Sequence, residues 1–323
     1  MKKKLENRKN NKSIIVSTMI FVITFIAMAG YLIYFNLTQA ESIINNSYNK
    51  RQGVLSRRTI RGSILSDDKT KLAVTNVDDD GNETRYYPYS GLFSHTIGYL
   101  NNGGYGLESL YGYYMLHSNQ NFFEQIGNDL SGNRNTGDNV VTTLNVDLQK
   151  ACYDALGSNR GAVIVMEPST GKILAMVSKP DFEPNTLAAN WSQITGEGSD
   201  SVLVNRATQG LYPPGSTFKL ITMLEYLREH KNDYGQYHYI CDGTYELGNN
   251  TINCVRTTAH GDVDLFSSLA VSCNCSFINI GLSLDLDRYK KTAEKMLFNK
   301  ELPTNLEYNK SRFVLNGESS EWD

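Results

Sequence analysis

Tyr212-Pro213-Pro214-Gly215-Ser216-Thr217-Phe218-Lys219 is the stretch on which the reading of this chain turns. Pro214 fixes the backbone and Gly215 bends it just ahead of Ser216. Apolar residues then recur at Leu220, Met223, Leu224 and Leu227, the i, i+3, i+4, i+7 pattern of a helix. Ser216 and Lys219 thus stand at i and i+3 at a helix start, where two side chains share one face. A serine hydroxyl is a poor nucleophile near neutral pH unless a fixed neighbour takes its proton, and an amine one turn away is such a neighbour. The spacing alone is uninformative, because Ser47/Lys50, Ser66/Lys69 and Ser169/Lys172 share it. No apolar helix follows those three. Ser66 adjoins Asp67 and Asp68, and Ser169 lies in a Pro168-Ser169-Thr170-Gly171 turn between two apolar runs.

A second polar group, Ser272-Cys273-Asn274, interrupts an apolar helical region running from Leu265-Phe266 to Phe277-Ile278-Asn279-Ile280. The same serine-x-asparagine spacing at Ser47/Asn49 and Ser131/Asn133 falls in stretches that are polar throughout, so only Ser272 and Asn274 are expected to face a packed interior. Read without further context, such a pair is more often a cap or a loop contact. The presence of Ser216 and Lys219 reverses those odds and makes Ser272 and Asn274 candidate site residues, both side chains being able to donate and accept.

At 323 residues and 20% charged residues the chain has the composition of a globular protein of about two domains. Residues 13–37 carry no charge and exceed the roughly 20 apolar residues that span a bilayer. Lys2, Lys3, Lys4, Arg8, Lys9 and Lys12 precede that run against a single Glu6, which places the N-terminus in the cytoplasm and the remainder outside. A cleaved signal sequence would end at Ala27-Met28-Ala29, but the apolar run continues through Tyr31-Leu32-Ile33-Tyr34-Phe35 and favours an anchor. With the basic flank set apart, the overall charge of −3 leaves about −8 for the remainder, which argues against a nucleic-acid partner.

Five cysteines, Cys152, Cys241, Cys254, Cys273 and Cys275, fall on the outer side, where oxidation is permitted. Cys241 and Cys254 bracket the Asp242-Gly243-Thr244 turn and would either close a small loop or remain as buried thiols. His238 and His260 lie near them, but the spacing fits none of the usual zinc sites, so no metal is expected. His260-Gly261-Asp262 suggests a hydrolase triad with Ser216, yet no glycine-x-serine-x-glycine elbow surrounds the serine, and His260 is taken as a loop residue. Asn139 to Leu144 is expected as a strand. Asn145 should cap a helix carrying Leu148, Cys152 and Leu156 that Gly157 ends, and Ala162–Met166 and Ile173–Val177 should pair as antiparallel strands.

The two polar groups, in this order, resemble the S-x-x-K and S-D-N motifs of the penicillin-binding proteins, serine acyltransferases that cross-link peptidoglycan, with Cys273 in place of the middle residue. Further matches are Arg61-Gly62-Ser63-Ile64-Leu65 with Leu72-Ala73, His95-Thr96-Ile97-Gly98-Tyr99, Gly106-Leu107-Glu108, and Gly161 to Pro168 continuing as Thr170 to Met176. The chain is similar to the monofunctional, class B type over everything after the anchor. The resemblance implies an α+β fold: a transpeptidase domain of the penicillin-binding and serine β-lactamase kind on a small mixed pedestal of the dimerisation type, behind one transmembrane helix. The expected division is a cytoplasmic flank 1–12, an anchor 13–37, a stalk 38–56, a pedestal 57–138 and a transpeptidase domain 139–323.

By resemblance, Ser216 is the nucleophile, Lys219 its base, Ser272 a proton relay and Asn274 a ligand of the substrate amide. The implied substrates are peptidoglycan stem peptides ending in D-alanyl-D-alanine, β-lactams are acylating mimics, and a membrane glycosyltransferase of cell-wall synthesis is the implied partner, with neither cofactor nor metal. The third family motif, K-T-G, is absent: Lys69-Thr70 is followed by Lys71 and Lys291-Thr292 by Ala293. Truncation before that strand is the expectation, with Phe313-Val314-Leu315 read as a strand entering an Asn316-Gly317 turn. Residues 1–323 alone are then expected to turn over weakly or not at all, because one oxyanion donor would come from the missing strand and its loss costs on the order of 100-fold to 1000-fold. The rival readings are a non-catalytic scaffold of cell-wall synthesis and a β-lactam sensor or hydrolase.

Overall fold

The computed structural model describes residues 2–39, 55–119, 121–196 and 198–315; most of the expected stalk and the Asn316-Gly317 turn lie outside the described residues. Helix α1 (Lys2–Thr38) contains an uncharged segment, Ile14–Thr38, long and apolar enough to cross a membrane. Four of its polar side chains are satisfied internally: Thr18, Thr24, Asn36 and Thr38 each donate to the carbonyl four residues earlier, at 2.8–2.9 Å. An apolar phase that cannot supply partners demands this.

Two compact units follow from the pattern of contacts, Met1–Ala207 and Thr208–Asp323. In the first, β1 (Thr59–Ile60) pairs with β5 (Asn135–Thr136), and β2 (Ile64–Leu65), β3 (Lys71–Val77), β4 (Glu83–Tyr86) and β6 (Val140–Val141) form a sheet in the order β4-β3-β2-β6. Short helices α2 (Ser94–Ile97), α3 (Gly106–Leu110) and α4 (Gly112–Met115) and the amphipathic α5 (Phe122–Leu130) lie between β4 and β5 in the chain. Glu108 on α3 is fully buried and takes Arg61 Nε at 2.9 Å and Arg85 Nε at 2.6 Å, one on each carboxylate oxygen. Two residues that the sequence presents as separate matches, Arg61 and Glu108, are thus one buried ion pair shared with a third side chain. Gly98 has φ +83°, and a Cβ there would stand 1.9 Å from the Tyr105 carbonyl oxygen, so the His95–Tyr99 stretch accepts no other residue at that point.

The expected strand at 139–144 is reduced to Val140–Val141, parallel to Ile64–Leu65. Helix α6 (Val146–Leu156) follows as expected: the Asn145 side chain accepts from Leu148 N–H at 2.9 Å, and Gly157 ends the helix at φ +58°. The hairpin of β7 (Gly161–Met166) and β8 (Ile173–Lys179) is antiparallel. Gln149, fully buried on α6, locks that helix to β8 by donating to Met176 O and accepting from Met176 N–H, both at 2.8 Å. Helix α7 (Trp191–Thr195) closes the first unit's elements.

The second unit is built on α8 (Lys219–Glu229), entered through a 3₁₀ turn at Gly215–Phe218. Then come β9 (His238–Cys241), β10 (Thr244–Leu247), β11 (Asn250–Asn253) and β12 (Gly261–Asp264), paired antiparallel as β10-β11 and β9-β12. Helices α9 (Leu265–Ala270), α10 (Asn274–Ser283) and α11 (Leu286–Lys295) complete it. Its core joins Ile221, Met223 and Tyr226 of α8 to Leu265, Phe277, Ile280, Leu284, Tyr289 and Ala293.

Two expectations change here. Leu220, the first residue of the apolar pattern, is 56% exposed, and the buried face of α8 is Ile221, Thr222, Met223, Glu225 and Tyr226. The apolar pattern finds Met223 and the half-buried Leu224 and Leu227 but not the whole face, because two core positions are polar and internally paired. Thr222 Oγ1 meets Tyr289 OH at 2.7 Å, and Glu225 accepts from Thr292 Oγ1. Phe313–Leu315 forms no strand. With no partner strand among the described residues it packs instead as an irregular segment, Phe313 against Phe218, Tyr289 and Phe298, its N–H donating to Asn299 Oδ1 at 2.9 Å.

Candidate active site

Pro214 and Gly215, the latter at φ +58°, turn the chain into the 3₁₀ segment that carries Ser216. Phe218 anchors this segment by packing its ring 5.0–6.2 Å from those of Phe313, Phe298 and Tyr289. The α-helix proper begins at Lys219, not ahead of Ser216, and the Lys219 N–H donates to Ser216 O across the junction. Ser216 is exposed.

The second group is held by a break between two helices. Cap bonds end α9, with Val271 N–H donating to Ser267 O and Ser272 N–H to Leu269 O, both at 3.0 Å. Ser272 then adopts φ +54°, uncommon for a residue with a side chain. Cys273 caps α10 by accepting from Ser276 N–H at 3.3 Å, and it is fully buried while Ser272 and Asn274 are half-buried to either side. The packed interior expected for Ser272 and Asn274 therefore belongs to Cys273, because the kink turns alternate residues in opposite directions.

Lys219 joins the two groups. Its Nζ donates to Asn274 Oδ1 at 2.6 Å, to Ser272 O at 2.7 Å and to Ser272 Oγ at 3.1 Å, and lies 5.6 Å from the centre of the Phe277 ring. Asn274 Nδ2 in turn donates to Asn253 O at 2.8 Å, which fixes the amide so that its oxygen faces the amine. Burial holds the Lys219 amine below its ordinary value of 10.5, against the pull of the neighbouring Cys273, Cys254 and Cys275. Of the four residues singled out in the sequence, Lys219, Ser272 and Asn274 meet through hydrogen bonds, and Ser216 is tied to Lys219 through the backbone, three residues ahead of it in the 3₁₀ turn. A polar chain behind them went unread: Ser268 Oγ and Ser276 Oγ meet at 2.7 Å, and Tyr237 OH reaches Ser276 Oγ at 3.0 Å. Single serines on apolar helices give no pattern by which to find it.

The thiols answer the question left open by spacing: all five cysteines are free, with Cys241 Sγ and Cys254 Sγ 3.8 Å apart. His260 does lie in a loop, where its Nδ1 faces Cys241 Sγ at 3.5 Å. Asp262 pairs instead with His238, at 3.2 Å. Sγ of Cys241, Cys254 and Cys273 and a ring nitrogen of His260 all lie within 4.8 Å of one another, a convergence that the separations along the chain do not announce.

An α+β chain with a small mixed domain, a serine-lysine pair at a helix entrance and a serine-x-asparagine break beside the lysine defines a penicillin-binding type of molecule. Residues 161–319 match the family described as the penicillin binding protein transpeptidase domain, and residues 61–140 match the penicillin binding protein A dimerisation domain. This chain belongs to the class B penicillin-binding proteins. It is similar to the peptidoglycan D,D-transpeptidase PbpA of Mycolicibacterium smegmatis, 34% identical over 66% of this chain and 46% of that protein. Peptidoglycan D,D-transpeptidase MrdA of Acinetobacter baumannii is 27% identical over 69% of this chain and 38% of its own length. Among solved structures, penicillin-binding protein A from M. tuberculosis in an imipenem acyl-enzyme complex superposes with a TM-score of 0.71 at 28% identity, over 79% of this chain and 63% of that one. The chain thus spans less than half the length of these curated relatives.

Proposed function

We propose that this chain carries the acylating centre of a peptidoglycan D,D-transpeptidase. Ser216 Oγ attacks the carbonyl of the penultimate D-alanine of a stem peptide, its proton passing to Lys219 Nζ. As the new ester bond forms, the peptide bond to the terminal D-alanine breaks, and the proton returns to the leaving amine through Ser272. A second amine then takes the acyl group and frees Ser216. Asn274 binds the substrate amide, and the Ser216 N–H is one oxyanion donor. β-Lactams acylate the same serine, in keeping with the imipenem acyl-enzyme of the M. tuberculosis relative.

One observation carries this reading: Lys219 Nζ stands within hydrogen-bond reach of Ser272 Oγ and Asn274 Oδ1, 53 and 55 residues further on, while sitting a single helical turn after an exposed serine. Partial desolvation suits that amine to accept a proton, since burial penalises its charged form. The basic residues of α1 ahead of its apolar segment are what support a cytoplasmic N-terminus with the bulk of the chain outside. The region 57–138 then acts as a pedestal, and a membrane glycosyltransferase that polymerises the glycan is the fitting partner.

The test is labelling of the native protein, in its own membranes, by a fluorescent penicillin. The adduct is expected on the tryptic peptide that contains Ser216, and Ser216→Ala should abolish it. Labelling that survives in Ser216→Ala, an adduct at another residue, or a native protein that is not acylated would each overturn the assignment.

A further inference from the structure

We propose that Cys241, Cys254, His260 and Cys273 form a closed, four-coordinate site for a soft divalent metal, Zn2+ by preference, directly behind the Ser272-Cys273-Asn274 segment. The distances carry it. Ligands placed tetrahedrally about zinc, with Zn–S near 2.3 Å and Zn–N near 2.0–2.1 Å, stand about 3.8 Å apart for sulfur pairs and about 3.6 Å apart for sulfur and nitrogen. Here Cys241 Sγ–Cys254 Sγ and Cys254 Sγ–Cys273 Sγ are both 3.8 Å, and Cys241 Sγ–His260 Nδ1 is 3.5 Å. All four donor atoms lie within 4.8 Å of one another. A disulfide would hold its sulfurs at about 2.05 Å, so these thiols are arranged about a point and not in bonded pairs.

Burial and chemistry agree with that geometry. Cys241, Cys254 and Cys273 are 1%, 2% and 0% exposed and are covered by Tyr239 and Tyr245. Three thiols with one imidazole form a soft set that disfavours Mg2+ and Ca2+, and four protein ligands leave no open position for a reacting water, which marks a structural site and not a catalytic one. The backbone is shaped to close it. Cys254 N–H donates to Gly243 O at 2.9 Å, and Gly243 sits at φ +98° with Thr257 O only 2.5 Å from where a Cβ would be. This folds the β10-β11 hairpin back so that its flanking cysteines meet. Ser276 N–H donates to Cys273 Sγ at 3.3 Å, the kind of outer contact that steadies a thiolate ligand. Cys275 Sγ lies 3.5 Å from Cys254 Sγ but outside the set of four, placed to donate its S–H to that ligand.

The consequence is positional. The metal ties the end of β9, the segment after β11 and the loop before β12 to the residue between Ser272 and Asn274. It thereby fixes the helix break from which those two side chains reach Lys219. Cys273 is a positioning residue, acting through its neighbours.

The test needs no acylation and stands apart from it. Protein purified under reducing conditions is assayed for metal by mass spectrometry, expected at one zinc per chain. Exchange with Co2+ should give the intense ligand-field bands of a tetrahedral site together with sulfur-to-cobalt charge transfer. Cys273→Ser and His260→Ala should lose the metal and the charge-transfer intensity or its pattern, while Cys275→Ser and Cys152→Ser keep both. Because a core thiol substitution can unfold the protein, zinc content and the cobalt spectrum of the unsubstituted chain decide independently. Metal-free protein that gives no tetrahedral cobalt spectrum, a Cys241–Cys254 disulfide in the reduced preparation, or loss of metal in Cys275→Ser equal to that in Cys273→Ser would overturn the site.

Discussion

Replacing Lys219 by methionine separates the chemistry of this amine from its structural part. Methionine keeps an unbranched chain beside Phe277 but removes the donor shared by Asn274 Oδ1, Ser272 O and Ser272 Oγ. Hydrogen bonds to a charged group contribute about 1.5–3 kcal/mol each when fully buried. Ser272 and Asn274 are half-buried, so water replaces much of the lost donor, and the ammonium's own desolvation cost disappears with it. The net change in stability should stay within about 2 kcal/mol. The acylation rate, by contrast, should fall about 100-fold to 10,000-fold, the usual contribution of a positioned base. That is roughly 3–5 kcal/mol at about 1.4 kcal/mol per tenfold. The assay is the second-order rate of labelling by a fluorescent penicillin on the native protein, with thermal unfolding followed in parallel. Lys219→Arg sharpens the result, since a guanidinium keeps the charge but does not give up its proton, and it should be as slow as methionine. An unchanged acylation rate in folded Lys219→Met would refute the role. A fast Lys219→Arg would show that the group acts by charge and not as a base.

Two further predictions concern the first unit. Glu108→Ala leaves the Arg61 and Arg85 guanidinium groups buried without their shared carboxylate and should cost about 3–5 kcal/mol, read as a lower urea midpoint; a change under about 1 kcal/mol would mean that water reaches the cavity. His95 supplies a pH dependence. Burial holds it below its ordinary value of 6.5, although its Nε2–H bond to Pro180 O at 3.1 Å and the charge of Asp181 pull the other way and Arg206 adds to the lowering. The unfolded chain then takes up a proton near pH 6.5 that the native state refuses. Its contribution to stability is therefore complete above about pH 6.5 and is lost as the pH falls toward the folded value. Urea unfolding at about pH 7.5 and about pH 5.5 should show this slope flattened in His95→Gln, and an identical slope in that variant would assign it to other groups.

Local chemistry made much of this molecule legible in advance. The Asn145 cap and Gly157 stop of α6, the β7-β8 hairpin and the apolar span of α1 each depend on residues a few positions apart, where steric and hydrogen-bonding rules act without the rest of the chain. Lys219 with Ser216, and Ser272 with Asn274, were likewise visible as two short groups. Their meeting was not a matter of spacing, since it depends on α8 packing against α10 and on the kink at Ser272. Part of the buried face of α8 escaped because it includes Thr222 and Glu225, whose partners Tyr289 and Thr292 come from a helix far along the chain.

Sequence by itself determined the family, the apolar span of α1 and the two short polar groups from which the proposed chemistry is drawn, because these reside in short motifs and in composition. Only the tertiary structure decided which atoms converge. Cys241, Cys254, His260 and Cys273 are scattered over a strand end, two loop positions and a helix cap, and nothing in their separations brings them within 4.8 Å. The folding back of the β10-β11 hairpin between the paired strands β9 and β12 does so, and that is a property of packing distributed over the whole unit.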